Sequence, residues 1–101
     1  MIAITSEHKI YLACQSVDFR KGIDGYAALC RTHFQLNPFS GHCFIFRNKK
    51  RTSIKVLLYD GTGFWLCHKR LSKGQFKKWP ATPASLVTID SSQLRVLSKI
   101  I

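Results

Sequence analysis

"GHCFIFRNKKRTSIKVLLYDGTGFWLCHKRL", residues 41–71, decides the fold. Three β-rich runs, "GHCFIFR", "IKVLLYD" and "FWLCHKRL", are separated by the polar "NKKRTS" and by "GTG". Short connections rich in turn residues join antiparallel neighbours, so the stretch predicts a three-stranded meander. Side chains alternate across a strand. With symmetrical hairpins, Cys43, Ile45, Val56, Leu58, Trp65 and Cys67 share one side, and Phe44, Phe46, Lys55, Leu57, Tyr59, Phe64, Leu66 and His68 share the other. The first side is apolar through its middle and is expected to meet a helix. The second carries Lys55 and His68 among its aromatics and is expected to be only partly core.

Toward the N-terminus, "KIYLAC" (Lys9 to Cys14) reads as a short first strand. Phe19, Ile23, Tyr26, Ala27, Cys30 and Phe34 then recur at spacings of three and four, one face of an amphipathic helix, which Asn37 and Pro38 end. Gly22 and Gly25 weaken that helix by about 1 kcal/mol each relative to alanine, a cost best explained by close approach to the sheet, though a distorted first turn would also suit them. Toward the C-terminus, "SKGQFKKWPATPAS" is an irregular link and "LVTI" a short edge strand. Asp90 and Gln93 have the spacing of a capping box, opening a last helix through "SSQLRVLSKI" with Leu94 and Leu97 turned inward. The expectation is a single α+β domain over residues 1–101. Its sheet is antiparallel, the meander plus one or two short extra strands. Of its two helices, one follows the first strand and one lies at the C-terminus.

Composition narrows the function classes. Apolar residues are 46% of the chain, so a folded core is expected rather than a disordered basic tail. Sixteen lysines and arginines oppose five acids, a formal charge of +11 that draws polyanions, nucleic acid above all. "MIAITSEHKIYLACQ" lacks the pattern of a signal peptide, and no apolar run is long enough to span a bilayer, so a cytoplasmic protein without a membrane partner is expected. Cys14, Cys30, Cys43 and Cys67 show no CxxC spacing and read as reduced small hydrophobes.

Catalytic chemistry finds little support. A two-metal nuclease site needs converging carboxylates, and Asp18, Asp24 and Asp60 are the principal candidates. Each has a local role instead: Asp18 as N-cap of the first helix, Asp24 in surface pairs with Arg20 and Lys21, Asp60 opening the turn "DGTG". His42–Cys43 and Cys67–His68 resemble zinc ligands, but their strands would lie roughly 10 Å apart with neighbouring side chains on opposite faces. No catalytic residue, metal or cofactor is expected.

The cations fall in two groups. Arg47, Lys49, Lys50, Arg51 and Lys55 surround the first meander connection, and Lys69, Arg70, Lys73, Lys77 and Lys78 follow the third strand. First and third strands of a meander run the same way, so both groups should gather at one pole, with Asp60 at the other. Such a pole can follow a phosphate backbone, with Phe76 and Trp79 near enough to stack on bases, although Trp79 by itself reads more readily as a cover for the core. No sequence-reading DNA- or RNA-binding motif is visible.

"DFRKGIDG", "GHCFIFRNKKRTSIKVLLYDGTGFWL" and "KRLSKGQFKKWP" occur in that order over most of the chain. In this the chain resembles the small TnpB-type accessory protein of the insertion-sequence sixty-six family of bacterial transposable elements. The family pattern falls on Asp18, Arg20, Lys21, Gly22, Asp24 and Gly25, on Phe46, Arg47, Lys55, Asp60, Gly61 and Gly63, and on Lys69, Arg70, Leu71, Gly74, Phe76, Trp79 and Pro80. Tyr59 stands where a tryptophan is usual, and the chain ends at "LSKII" without the usual tail. The resemblance implies a bacterial accessory to transposition, with the acidic catalytic residues on a separate transposase. The leading expectation is a non-catalytic, DNA-binding accessory protein using the ten cations named above. The alternative is an adaptor docking on the transposase through Phe46, Tyr59 and Phe64. A divalent-metal nuclease using the three aspartates ranks last.

Overall fold

In the computed structural model, which describes residues 8–90 and 92–93, the chain forms one five-stranded sheet and one helix among those residues. β1 (Ile10–Ala13) leads into α1 (Ile23–Thr32). β2 (Cys43–Arg47), β3 (Ser53–Tyr59) and β4 (Phe64–Arg70) form the meander, and β5 (Leu86–Ile89) follows. Spatial order is β4-β3-β2-β1-β5.

The meander stands as the alternation predicts: β2 pairs antiparallel with β3, setting Phe44 opposite Leu57, and β3 with β4, setting Val56 opposite Cys67. The wholly antiparallel sheet does not stand. β1 lies parallel to β2, with Ile10 opposite Cys43 and Leu12 opposite Ile45, while β5 pairs antiparallel with the other edge of β1. The reason is connectivity. Residues 14–42 are far too long for a hairpin, and they contain a helix that carries the chain over the sheet and returns it in the same direction. The sheet is therefore mixed.

The two-helix expectation is corrected to one helix element among the described residues, α1; of the expected C-terminal helix only Ser92 and Gln93 are described, and both are helical. Asp90 and Gln93 do exchange the reciprocal bonds of a capping box, each backbone amide donating to the other's side-chain oxygen at 2.8 Å. The rest of that expected helix falls on 91 and 94–101, outside the described residues, as does the start of the N-terminal segment at residues 1–7.

Both faces of the sheet are covered over its inner strands, with Trp65 and Cys67 of β4 left exposed, and the coverings are the reverse of the expectation. α1 packs Tyr26, Ala27 and Cys30 onto Ala13, Phe44, Phe46 and Leu57, the aromatic face. The opposite face, Ile10, Leu12, Cys43, Ile45, Ile54 and Leu58, is closed by Phe76 and Trp79 from the irregular link. Trp79 satisfies its indole by donating to the Ala13 carbonyl at 2.9 Å. Lys55 is what makes the aromatic face tolerable for a helix. Its ammonium donates to the Phe19 carbonyl at 2.7 Å and lies over the rings of Phe19 and Tyr26, closing the turn that precedes α1. Gly22 is the N-cap, with open space where a side chain would stand, and a Cβ on Gly25 would meet the Lys21 stem at 3.0 Å. The glycines thus serve the entry to the helix rather than close approach to the sheet.

Candidate nucleic-acid interface

The two basic groups lie at one pole, joined through the backbone. Within the sheet, Ser53 stands opposite Arg70 and Ile54 opposite Lys69. Beyond it, the Leu71 amide donates to the Thr52 carbonyl at 2.9 Å and the Phe76 amide to the Arg51 carbonyl at 2.8 Å, while the Gln75 side chain donates to the Lys50 carbonyl at 2.8 Å. Residues 70–76 are thereby laid against the β2–β3 connection. Asn48 shapes that connection from within: its side-chain oxygen accepts from the amides of Thr52 and Ser53, and its amide nitrogen donates to the Thr52 hydroxyl at 2.8 Å. This lets Arg51 adopt a left-handed φ of 57°. Asn48 was not singled out by the sequence reading, although an asparagine opening a polar connection was the available signal.

Ten cations were expected at this pole; the structure divides them. Lys49, Lys50, Lys69, Arg70, Lys73, Lys77 and Lys78 are exposed, and Arg51 is half-exposed. Lys55 points to the other face and is occupied beneath α1. Arg47 is largely inward: its guanidinium donates to the carbonyls of Asn48 and Cys14 at 3.1 and 3.2 Å and sits over the Trp79 ring. Burial and the nearby Arg51 charge both lower its pKa. Of the two residues weighed for stacking, Trp79 takes the core-covering place favoured for it, and Phe76 joins it there. Phe76 is fully buried and Trp79 is 6% exposed, so neither presents a ring to a base.

The acids lie elsewhere. Asp60 follows β3, at the far end of the strand from the basic connection. It accepts from the amides of Thr62 and Gly63, the Thr62 hydroxyl and the Trp65 indole, and these bonds hold its carboxyl down at about 2. Asp18 is not the N-cap of α1. It accepts from the backbone and guanidinium of Arg20, which lowers its pKa to about 2. Asp24 lies in the first helical turn, where the positive end of the helix dipole favours it. Among the described residues no three His, Cys, Asp or Glu side chains are grouped to hold a metal ion. All four cysteines are free thiols. Burial pushes Cys30 up to about 12 and Cys43 to about 11, whereas Cys67 is exposed on the edge strand β4.

The aromatic trio expected to meet a protein partner is split. Phe46 is buried beneath α1, its ring 4.8 Å from that of Tyr26. Tyr59 and Phe64 instead group with Phe39, each pair of ring centres 5.0 Å apart, at the Asp60 end of the molecule. Phe39, in the loop before β2 and half exposed, was missed because nothing in its own neighbourhood marks the contact.

Among the described residues no helix is long and apolar enough to cross a membrane. A family model described as IS66 Orf2 like protein matches residues 8–101. Two proteins of Sinorhizobium fredii, strain NBRC 101917 / NGR234, are similar to the chain. Uncharacterized protein y4hO is 33% identical over 89 residues, covering 88% of this chain and 76% of the relative. Uncharacterized protein y4jC is 36% identical over 76 residues, covering 75% and 65%. No solved structure matches the chain.

Proposed function

The chain belongs to the IS66 Orf2-like family of insertion-sequence accessory proteins, and from that premise we propose that it is a non-catalytic accessory factor for transposition that holds nucleic acid at its basic pole. It would act in the bacterial cytoplasm beside a separate transposase. The observation that carries the reading is the backbone union of the two cation groups through Phe76–Arg51 and Leu71–Thr52. Lys49, Lys50, Arg51, Lys69, Arg70, Lys73, Lys77 and Lys78 are the phosphate contacts of this reading. Such contacts release counterions, so log affinity falls with log salt by about 0.9 per phosphate neutralised. A gel-shift series across salt, with transposon-end and unrelated duplexes, tests it. A steep slope, reduced by Lys49→Glu/Lys50→Glu, supports the pole as the contact; a flat response removes the proposal.

A second reading rests on the half-exposed Phe39 beside Tyr59 and Phe64. An aromatic group at the end remote from the cations suits an adaptor that docks on the transposase without using the basic pole. Co-purification with the transposase after nuclease treatment, kept in Lys49→Glu/Lys50→Glu and lost in Phe39→Ala, would favour that role.

A further inference from the structure

A recess of about 230 Å3 opens where the end of β1, the β2–β3 connection and the chain after Trp79 meet. Gln15, Arg47, Lys49, Arg51, Trp79 and Thr82 are among its walls. Three cations therefore share one small cavity, and among the described residues no carboxylate pairs with any of them. Arg47 is held rigidly there by two backbone carbonyls and the Trp79 ring. Its Nε has no hydrogen-bond partner and is shielded from solvent, so a guest in the recess would meet the outer guanidinium nitrogens, each of which keeps a second N–H. Thr82 accepts from the Ala84 amide at 3.3 Å, which leaves its hydroxyl proton for an acceptor.

We infer that this recess is a seat for a single phosphate group, with the fixed Arg47 guanidinium at its base and Lys49 and Arg51 closing over it. The chemistry selects the ligand class. Every named donor is an N–H or O–H, and three positive charges await an oxyanion that only accepts. Planar guanidinium groups bind tetrahedral oxyanions through directed, charge-assisted bonds. An anion there also relieves the repulsion between Arg47 and Arg51. The inference deepens the reading of the pole as a nucleic-acid surface and rests on it for the source of the phosphate, an internal diester or a strand terminus. Inorganic phosphate tests the seat by itself.

The experiment follows the arginine Nε–H signals of the whole protein by NMR at constant ionic strength, exchanging sodium chloride for inorganic phosphate. The Arg47 signal is expected to move saturably. Lys49→Ala/Arg51→Asn should weaken that response about tenfold or more, since each lost charge-assisted bond is worth roughly a factor of ten. Asparagine suits the left-handed φ at 51, and Lys49→Ala alone, at an exposed position, serves if the double variant loses its native spectrum. Saturable movement lost in the variant upholds the seat; movement that chloride reproduces, or that the variant retains at full strength, overturns it. Short duplexes with and without 5′-phosphates then identify the source. A response confined to phosphorylated ends marks a terminal phosphate, and equal responses mark the diester backbone. Duplex binding that leaves Arg47 unmoved sinks the seat but not the basic pole. Saturation by inorganic phosphate without duplex binding upholds the seat and sinks the nucleic-acid reading.

Discussion

The Phe76 amide donates to the Arg51 carbonyl at 2.8 Å, and the Phe76 ring is wholly buried against the sheet face that α1 leaves open. One residue thus joins core to surface. Its ring closes the hydrophobic layer, while its backbone holds Lys77 and Lys78 beside the β2–β3 connection against their mutual repulsion. The backbone bonds of the fold hold these cations together.

Replacing Phe76 should therefore damage stability and binding together. Phe76→Ala opens a cavity in a packed layer and is expected to cost about 3–5 kcal/mol, measured by urea denaturation. Phe76→Leu keeps most of the volume and should lose much less. Duplex affinity at fixed salt should follow the same order in the fraction that remains folded. If Phe76→Ala unfolds no earlier than the parent protein, the ring is not a core anchor.

Lys55 is a cation that holds the fold, and it tests the division made among the ten. Its ammonium satisfies the Phe19 carbonyl at 2.7 Å beneath α1. Lys55→Met keeps the stem and removes the donor, so a loss of about 1–3 kcal/mol is expected from the unpaired carbonyl. Duplex affinity and its salt slope should stay within about twofold of the parent. A drop as large as that of Lys50→Glu would return Lys55 to the phosphate-contacting set.

Much of this was legible in the sequence. Strict alternation in "CFIF" and "KVLL" separates the two faces of the sheet correctly, because a buried strand cannot shift by one residue without exposing its apolar set. Chain direction in the meander likewise brings both cation groups to one pole. Which face takes the helix was not legible, since both are apolar and the deciding contact, Trp79 to Ala13, joins residues remote in sequence. The parallel β1–β2 pair was within reach, for a strand, a helix and a strand in succession is the ordinary route to it. Lys55 misled for the same reason as Phe46: alternation gives the side of the sheet on which a side chain lies, not what covers it.

Asp60 and Asp18 should make the fold sensitive to acid. Both have carboxyl pKa values lowered to about 2 from an ordinary 3.8. A depressed folded-state pKa contributes stability that is full above the unfolded value and lost as pH falls through the folded one. Stability should accordingly decline between about pH 4 and pH 2. Trp65 donates its indole N–H to Asp60 at 2.8 Å, so its fluorescence should report that titration directly. Asp60→Asn should flatten the Asp60 share of the decline and abolish the fluorescence step. An unchanged step in the variant would show that the indole reports some other group.

Positive charge gathered at the pole should oppose folding through like-charge repulsion. With +11 overall and eight cations set around one connection, like-charge repulsion is largest there and is screened over about 10 Å at 0.1 M salt. Added sodium chloride should therefore raise the melting temperature while it weakens duplex binding. Lys50→Glu should act in the same two directions at constant salt, as the exposed side chain takes no part in the core. Its stabilisation is expected to be about 0.2–1 kcal/mol, the range for a surface charge, and its salt slope should be shallower than the parent's. Thermal denaturation and gel shifts on one preparation of each protein compare the two effects. If Lys50→Glu destabilises the fold while binding is untouched, the charge at the pole is structural and the proposed interface lies elsewhere.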